Sequence, residues 1–107
     1  MERKFKMREL SDSFIALAGG FGTLEEILEV ITLKQLGYHS KAIVFINTNN
    51  FYDDLFRQFE KSYDEKFAKE NYRKLYFIAE NSAEAMNHLL RYKPEPTVDK
   101  WFEVPKR

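Results

Sequence analysis

The feature that most constrains this chain is a junction. Phe14-Ile15-Ala16-Leu17-Ala18, apolar throughout, runs straight into Gly19-Gly20-Phe21-Gly22-Thr23 and then into a stretch of helical periodicity. A short continuous apolar run bounded by turn residues, here Ser11-Asp12-Ser13 in front, is the pattern of a strand buried on both faces. Across residues 24–36, Leu24, Ile27, Leu28, Ile31 and Gln35 recur at helical spacing, and Val30, Leu33 and Leu36 widen the apolar stripe. Thr23 followed by Glu26 has the spacing of a capping box. Gly37 stands where a helix end favours glycine.

The cycle then repeats. Ala42-Ile43-Val44-Phe45-Ile46 reads as a second buried strand, closed by the turn residues Asn47-Thr48-Asn49-Asn50. A helix is predicted over residues 52–67, with Leu55, Phe56, Phe59 and Tyr63 on its inner stripe. Residues 68–74 are charged and read as helical or irregular, and Leu75-Tyr76-Phe77-Ile78-Ala79 supplies a third strand. Ser82 is the expected N-cap of a last helix over residues 82–91. Strands alternating with helices imply an α/β fold, a Rossmann-like parallel sheet flanked by helices. The expected domain covers residues 1–93. An amphipathic helix is predicted over residues 2–11, and 94–107 form an irregular tail carrying Trp101, Phe102 and Val104.

Composition narrows the function classes. Seventeen Lys and Arg balance seventeen Asp and Glu in 107 residues, so the basic surplus of a nucleic-acid binder is missing. The chain has no cysteine, which excludes disulfides, thiol catalysis and cysteine zinc sites. No apolar run reaches the length of a membrane span, and the basic segment 1–8 lacks the apolar stretch of a signal peptide. The expected location is cytoplasmic, with no nucleic acid and no membrane as partner. His39 and His88 lie far apart without ligand spacing, so no metal site is expected. The tyrosines 63, 72, 76 and 92 are expected to pack in or around the core.

In an open parallel sheet, ligands bind at the carboxyl ends of the strands. Gly19, Gly20 and Gly22 allow close approach of a ligand to the backbone there. The unpaired N–H groups and positive dipole end of the next helix favour an anion, with phosphate the commonest guest. The loop is neither a Walker A sequence nor a dinucleotide fingerprint. Glu25 and Glu26, read as first-turn residues, admit two meanings: they complement the helix dipole, or Glu26 faces the sugar of a phosphate-bearing ligand. On the residues alone both stand.

From Ser11 through Glu26 the chain resembles the central signature of the Lonely Guy (LOG) family, whose pattern runs roughly Pro-Gly-Gly-x-Gly-Thr-x-x-Glu. The likeness continues through Thr32, Gln35-Leu36-Gly37, His39 and Lys41 to Phe51-Tyr52-Asp53. Upstream, Arg3-Lys4 and Met7 resemble the family's Arg-Lys-x-x-Met segment. Ala18 replaces the family's proline, and Leu33 and Ala42 replace its Trp and Pro. Family members carry a further strand–helix–strand region ahead of the Arg-Lys segment, so the resemblance is to their carboxyl-terminal part.

The resemblance implies hydrolysis of the N-glycosidic bond of a nucleoside 5′-monophosphate, a cytokinin riboside monophosphate or AMP, to free base and ribose 5-phosphate. It implies no cofactor. Gly19, Gly20, Gly22 and Thr23 would bind the 5′-phosphate, and Glu26 and Arg3 would be catalytic. Lys4 and Glu25 are secondary candidates for substrate contact. A homodimer is expected. Lysine decarboxylation, an older label for the family, would need a pyridoxal phosphate lysine in a larger fold and is set aside. Two other readings stay open: a non-catalytic nucleotide-binding module, and a dimerising structural remnant.

Overall fold

A computed structural model describes residues 12–94 of the 107. The predicted helix over 2–11 and nearly all of the tail lie outside that range.

Three strands, β1 (Ser13–Ala16), β2 (Ala42–Ile46) and β3 (Phe77–Ala79), form a parallel sheet in the order β1-β2-β3. Helix α1 (Phe21–Gln35) joins β1 to β2. Helix α2 (Asp53–Asp64) and a 3₁₀ segment (Glu70–Leu75) join β2 to β3, and α3 (Ser82–Arg91) follows β3. This is the expected α/β, Rossmann-like arrangement.

Alternation along β2 divides the core. Ile43 and Phe45 face α1 and α2, whereas Val44 and Ile46 face α3 with Ala79 and Ala85. Phe45 is fully buried, and the rings of Tyr52, Phe56, Phe59 and Tyr76 surround it with centroids 5.2–6.2 Å away. The predicted inner stripe of α2 is the one that packs: Leu55, Phe56 and Phe59 lie against this cluster, and Tyr63 is buried. Tyr63 and Tyr72 belong to the core, and Tyr76 and Tyr92 are partly buried, as expected of them.

Several expectations need correction. β1 is not buried on both faces: Ile15 is 46% exposed and Leu17 60%. Phe14 and Ala16 point to the α1 side, but α3 packs on β2 and β3, so among the described residues the other face of β1 lacks the cover that β2 has. Helix α1 starts at Phe21 with Gly20 as its N-cap, and no side chain caps it among the described residues. The Thr23–Glu26 capping box is therefore not formed, because Thr23 already lies inside the helix, where its hydroxyl cannot act as an N-cap. Helix α2 stops at Asp64, because Lys66 takes a left-handed conformation (φ 64°) that closes the end through its N–H to Tyr63 O. Leu75 belongs to the 3₁₀ segment, which leaves β3 three residues long. Asn81, not Ser82, caps α3. Gly37 ends α1 with φ 87°, as expected.

One buried charge anchors the amino-terminal side of the sheet. Lys34, 8% exposed in the last turn of α1, donates from Nζ to Leu75 O and to the Tyr92 hydroxyl, both at 3.0 Å. The Tyr92 hydroxyl donates onward to Ser40 O at 2.7 Å. These bonds tie the end of α1 to the 3₁₀ segment and to the residue following α3. Burying an ammonium is tolerable only with such partners.

Candidate functional site

The candidate site is built where β1 hands over to α1. After Ala16 the chain leaves the sheet, passes through Gly19 and Gly20, and enters the helix at Phe21. The first intrahelical bond at this end runs from Leu24 N–H to Gly20 O at 3.2 Å. The N–H groups of Phe21, Gly22 and Thr23 precede it and have no carbonyl within the helix to bond. They share the positive end of a 15-residue helix dipole.

The glycines divide by role. A Cβ at Gly19 would lie 2.3 Å from Thr23 Oγ1, so glycine is required there for the threonine to fold back against the loop. Around a Cβ at Gly20 or Gly22 no atom of the described residues lies within 4 Å, chain neighbours and adjacent helix backbone aside. Gly20 has φ −102°, which other residues adopt as well. Glycine is among the residues favoured at an N-cap, and at position 20 it leaves the helix start uncrowded by the described residues.

Thr23 and Glu26 are three residues apart on α1 and so share one face. Both line a cavity of about 260 Å³ between α1 and β1, with Ile15 and Ile27 among its apolar walls. A carboxylate thus lines the same cavity as a threonine of the first helical turn. Glu25, also a candidate, is exposed and lies outside the lining. Because the helix begins at Phe21, both glutamates fall in its second turn and not in the first, where the sequence reading put them. Arg3 and Lys4 lie outside the described residues.

Elements at the same end of the sheet buttress the loop. The Tyr52 hydroxyl donates to Leu17 O, two residues before the first glycine of the loop. Asn47 connects the ends of the other two strands: its N–H donates to Ala79 O at 2.7 Å and its Oδ1 accepts from Tyr52 N–H at 2.7 Å. Sequence reasoning placed Asn47 in a turn and Tyr52 at a helix start, and gave neither a role. An Asn directly after a buried strand was the available signal.

The histidines are engaged structurally. His39 Nδ1 accepts from Lys41 N–H at 3.1 Å, which leaves Nε2 to donate to Val30 O at 2.8 Å. His88 stacks on Phe77 with centroids 4.0 Å apart, and burial, helped by the charge of Lys34, lowers its pKa. Among the described residues no group of three or more His, Asp or Glu could hold a metal ion. None of the helices there is long and apolar enough to cross a membrane.

The family described as possible lysine decarboxylase matches residues 1–89. Among curated proteins, the chain is similar to two cytokinin riboside 5′-monophosphate phosphoribohydrolases of Arabidopsis thaliana, LOG7 and LOG5. It is 43% identical to LOG7 over 88% of this chain and 43% of the relative, and 44% identical to LOG5 over 87% and 41%. The enzyme of the same name, LOG, from Oryza sativa subsp. japonica is 43% identical over 88% of this chain and 39% of the relative. The chain thus spans about two fifths of the length of the curated relatives it matches. With its glycine loop at the carboxyl end of β1 and its match across residues 1–89, the chain belongs to the possible-lysine-decarboxylase family, the family of the LOG proteins.

Proposed function

We propose that this site binds a nucleoside 5′-monophosphate and hydrolyses its N-glycosidic bond, releasing free base and ribose 5-phosphate. The observation that carries the reading is the shared cavity: Thr23, in the first turn of α1, and Glu26, in the second, line it together. The phosphate would accept hydrogen bonds from the N–H groups around Gly20, Gly22 and Thr23 and from the Thr23 hydroxyl, with Gly19 making room for that hydroxyl. Cleavage of an N-glycosidic bond develops positive charge on the ribose. A carboxylate one turn away from the phosphate is placed to stabilise that charge and to orient the attacking water. That carboxylate is Glu26. Arg3 would act with it, its forked donors suited to the phosphate or the departing base, and Lys4 and Glu25 would make secondary contacts. The names of the curated relatives favour cytokinin riboside monophosphates, with AMP the simplest alternative substrate.

The same reading includes a cytoplasmic homodimer. The exposed apolar residues Ile15, Leu17 and Phe21 beside the site support a second chain there. Sedimentation at micromolar concentration tests it: a dimer is expected, and a monodisperse monomer contradicts it.

The activity is tested by incubating the chain with AMP and with isopentenyladenosine monophosphate and measuring free base. Release is expected, with Glu26→Ala and Arg3→Ala each reducing it by about 10²–10⁴-fold. Binding without release would make this a nucleotide-binding module, and no binding at all would leave a structural role.

A further inference from the structure

We propose that Tyr52 is a positioning residue for the phosphate loop: its hydroxyl holds the Leu17 carbonyl and so fixes the path of the chain into Gly19 and Gly20. The inference rests on the reading of that loop as the phosphate site.

Tyr52 is placed to act as a fixed post. Its ring is 2% exposed, edge-on to Phe45 at 5.3 Å and to Phe51 at 4.9 Å. Its backbone N–H is held by Asn47 Oδ1 at 2.7 Å, and Asn47 Nδ2 donates to Asp53 Oδ1 at 2.8 Å. Asn47 is itself tied to the end of β3 through Ala79 O. Burial raises the pKa of the phenol, so the hydroxyl remains a donor. From this post it donates to Leu17 O, 35 residues away in sequence.

The other end of the bond needs that hold. Within its own chain the Leu17 side chain is largely exposed, so packing among the described residues does not fix its peptide plane. Ala18 follows without the ring that would preset φ, and two glycines come next. The Tyr52 donor on the leaving carbonyl joins this segment to the core. Through Tyr52 and Asn47, the carboxyl ends of all three strands are linked.

The test compares Tyr52→Phe, which keeps the ring and removes the donor, with Phe59→Leu, which trims the same aromatic cluster without touching Leu17. For Tyr52→Phe, Kd for AMP and for inorganic phosphate is expected to rise about 10-fold, the scale of one hydrogen bond. KM should follow, with kcat changed less than about 2-fold, because α1 and Glu26 are held independently by Ile27 and Val30 in the core. Phe59→Leu should lower Tm and leave Kd within about 2-fold. In nucleotide-free protein, backbone order parameters at Ala18 and Gly19 should fall from about 0.85 toward 0.6 in Tyr52→Phe only. Unchanged order parameters overturn the inference, as does an equal rise in Kd for Phe59→Leu. If wild type binds neither AMP nor phosphate, the proposed function fails while the order parameters still decide the role of Tyr52.

Discussion

Helices α1 and α3 both begin at the carboxyl end of a parallel strand, yet their first turns are finished differently. At α3, Asn81 Oδ1 accepts from Glu84 N–H at 2.9 Å, and Glu84 Oε1 accepts from Glu80 N–H at 3.0 Å. The first bond is an N-cap and the second holds the residue before it, so the helix start is met by the chain's own oxygens. At α1 the cap is Gly20, and no side chain among the described residues accepts from the first turn. The first turn of α1 also holds no acidic residue, whereas that of α3 holds Glu84. One fold thus contains a closed helix start and an open one, in equivalent positions. The glycine loop of the family resemblance falls at the open start, and Thr23 in its first turn reaches the cavity that Glu26 also lines.

The comparison can be broken by closing α1. Gly20→Asp would set a carboxylate where the phosphate is proposed to sit. Phosphate and AMP affinity should fall at least ~100-fold by charge exclusion, while the new cap holds or raises stability by up to ~1 kcal/mol. Unchanged affinity in a titration calorimeter would mean the anion is not bound there. The converse change opens α3: Asn81→Ala should cost about 1 kcal/mol, several degrees of Tm in a domain this size, and leave AMP affinity untouched. A change in AMP affinity on that substitution would show that the two helix starts are not independent.

The smallest effect concerns pH. His88, on α3, has its folded-state pKa lowered by burial and by Lys34. Keeping it neutral is a contribution fully present above its unfolded pKa of about 6.5 and lost as pH falls through the lower folded value. Tm should therefore decline slightly as pH drops below about 6.5, and His88→Phe should flatten that part of the profile. An identical pH profile in the variant would remove His88 from the account.

Much of this architecture was legible in the sequence, and the failures share a cause. The runs Phe14-Ile15-Ala16-Leu17-Ala18 and Ala42-Ile43-Val44-Phe45-Ile46 look alike as sequences, but only β2 is buried at every residue. Burial depends on what lies on either side in the sheet, which no local pattern records. The start of α1 was misjudged by three residues because Thr23 and Glu26 satisfied a cap spacing that Phe21 and Gly22 made unnecessary by joining the helix. Asn81 and Ser82 are both good cap residues, and only the backbone geometry chose between them. The burial of Lys34 rests on acceptors from Leu75 and Tyr92, both distant in sequence, and leaves no local pattern either. That Thr23 and Glu26 share one face follows from their spacing within one helix, although that spacing also reads as a cap. The hold of Tyr52 on Leu17 was not legible, because it is purely tertiary.

The most direct test of the open helix start is to follow backbone amide resonances while AMP is added to isotopically labelled protein. The account predicts saturable shifts at Phe21, Gly22 and Thr23, with the amides of Ser82, Ala83 and Glu84 unmoved. Equal movement at both helix starts, or none at α1, would contradict it.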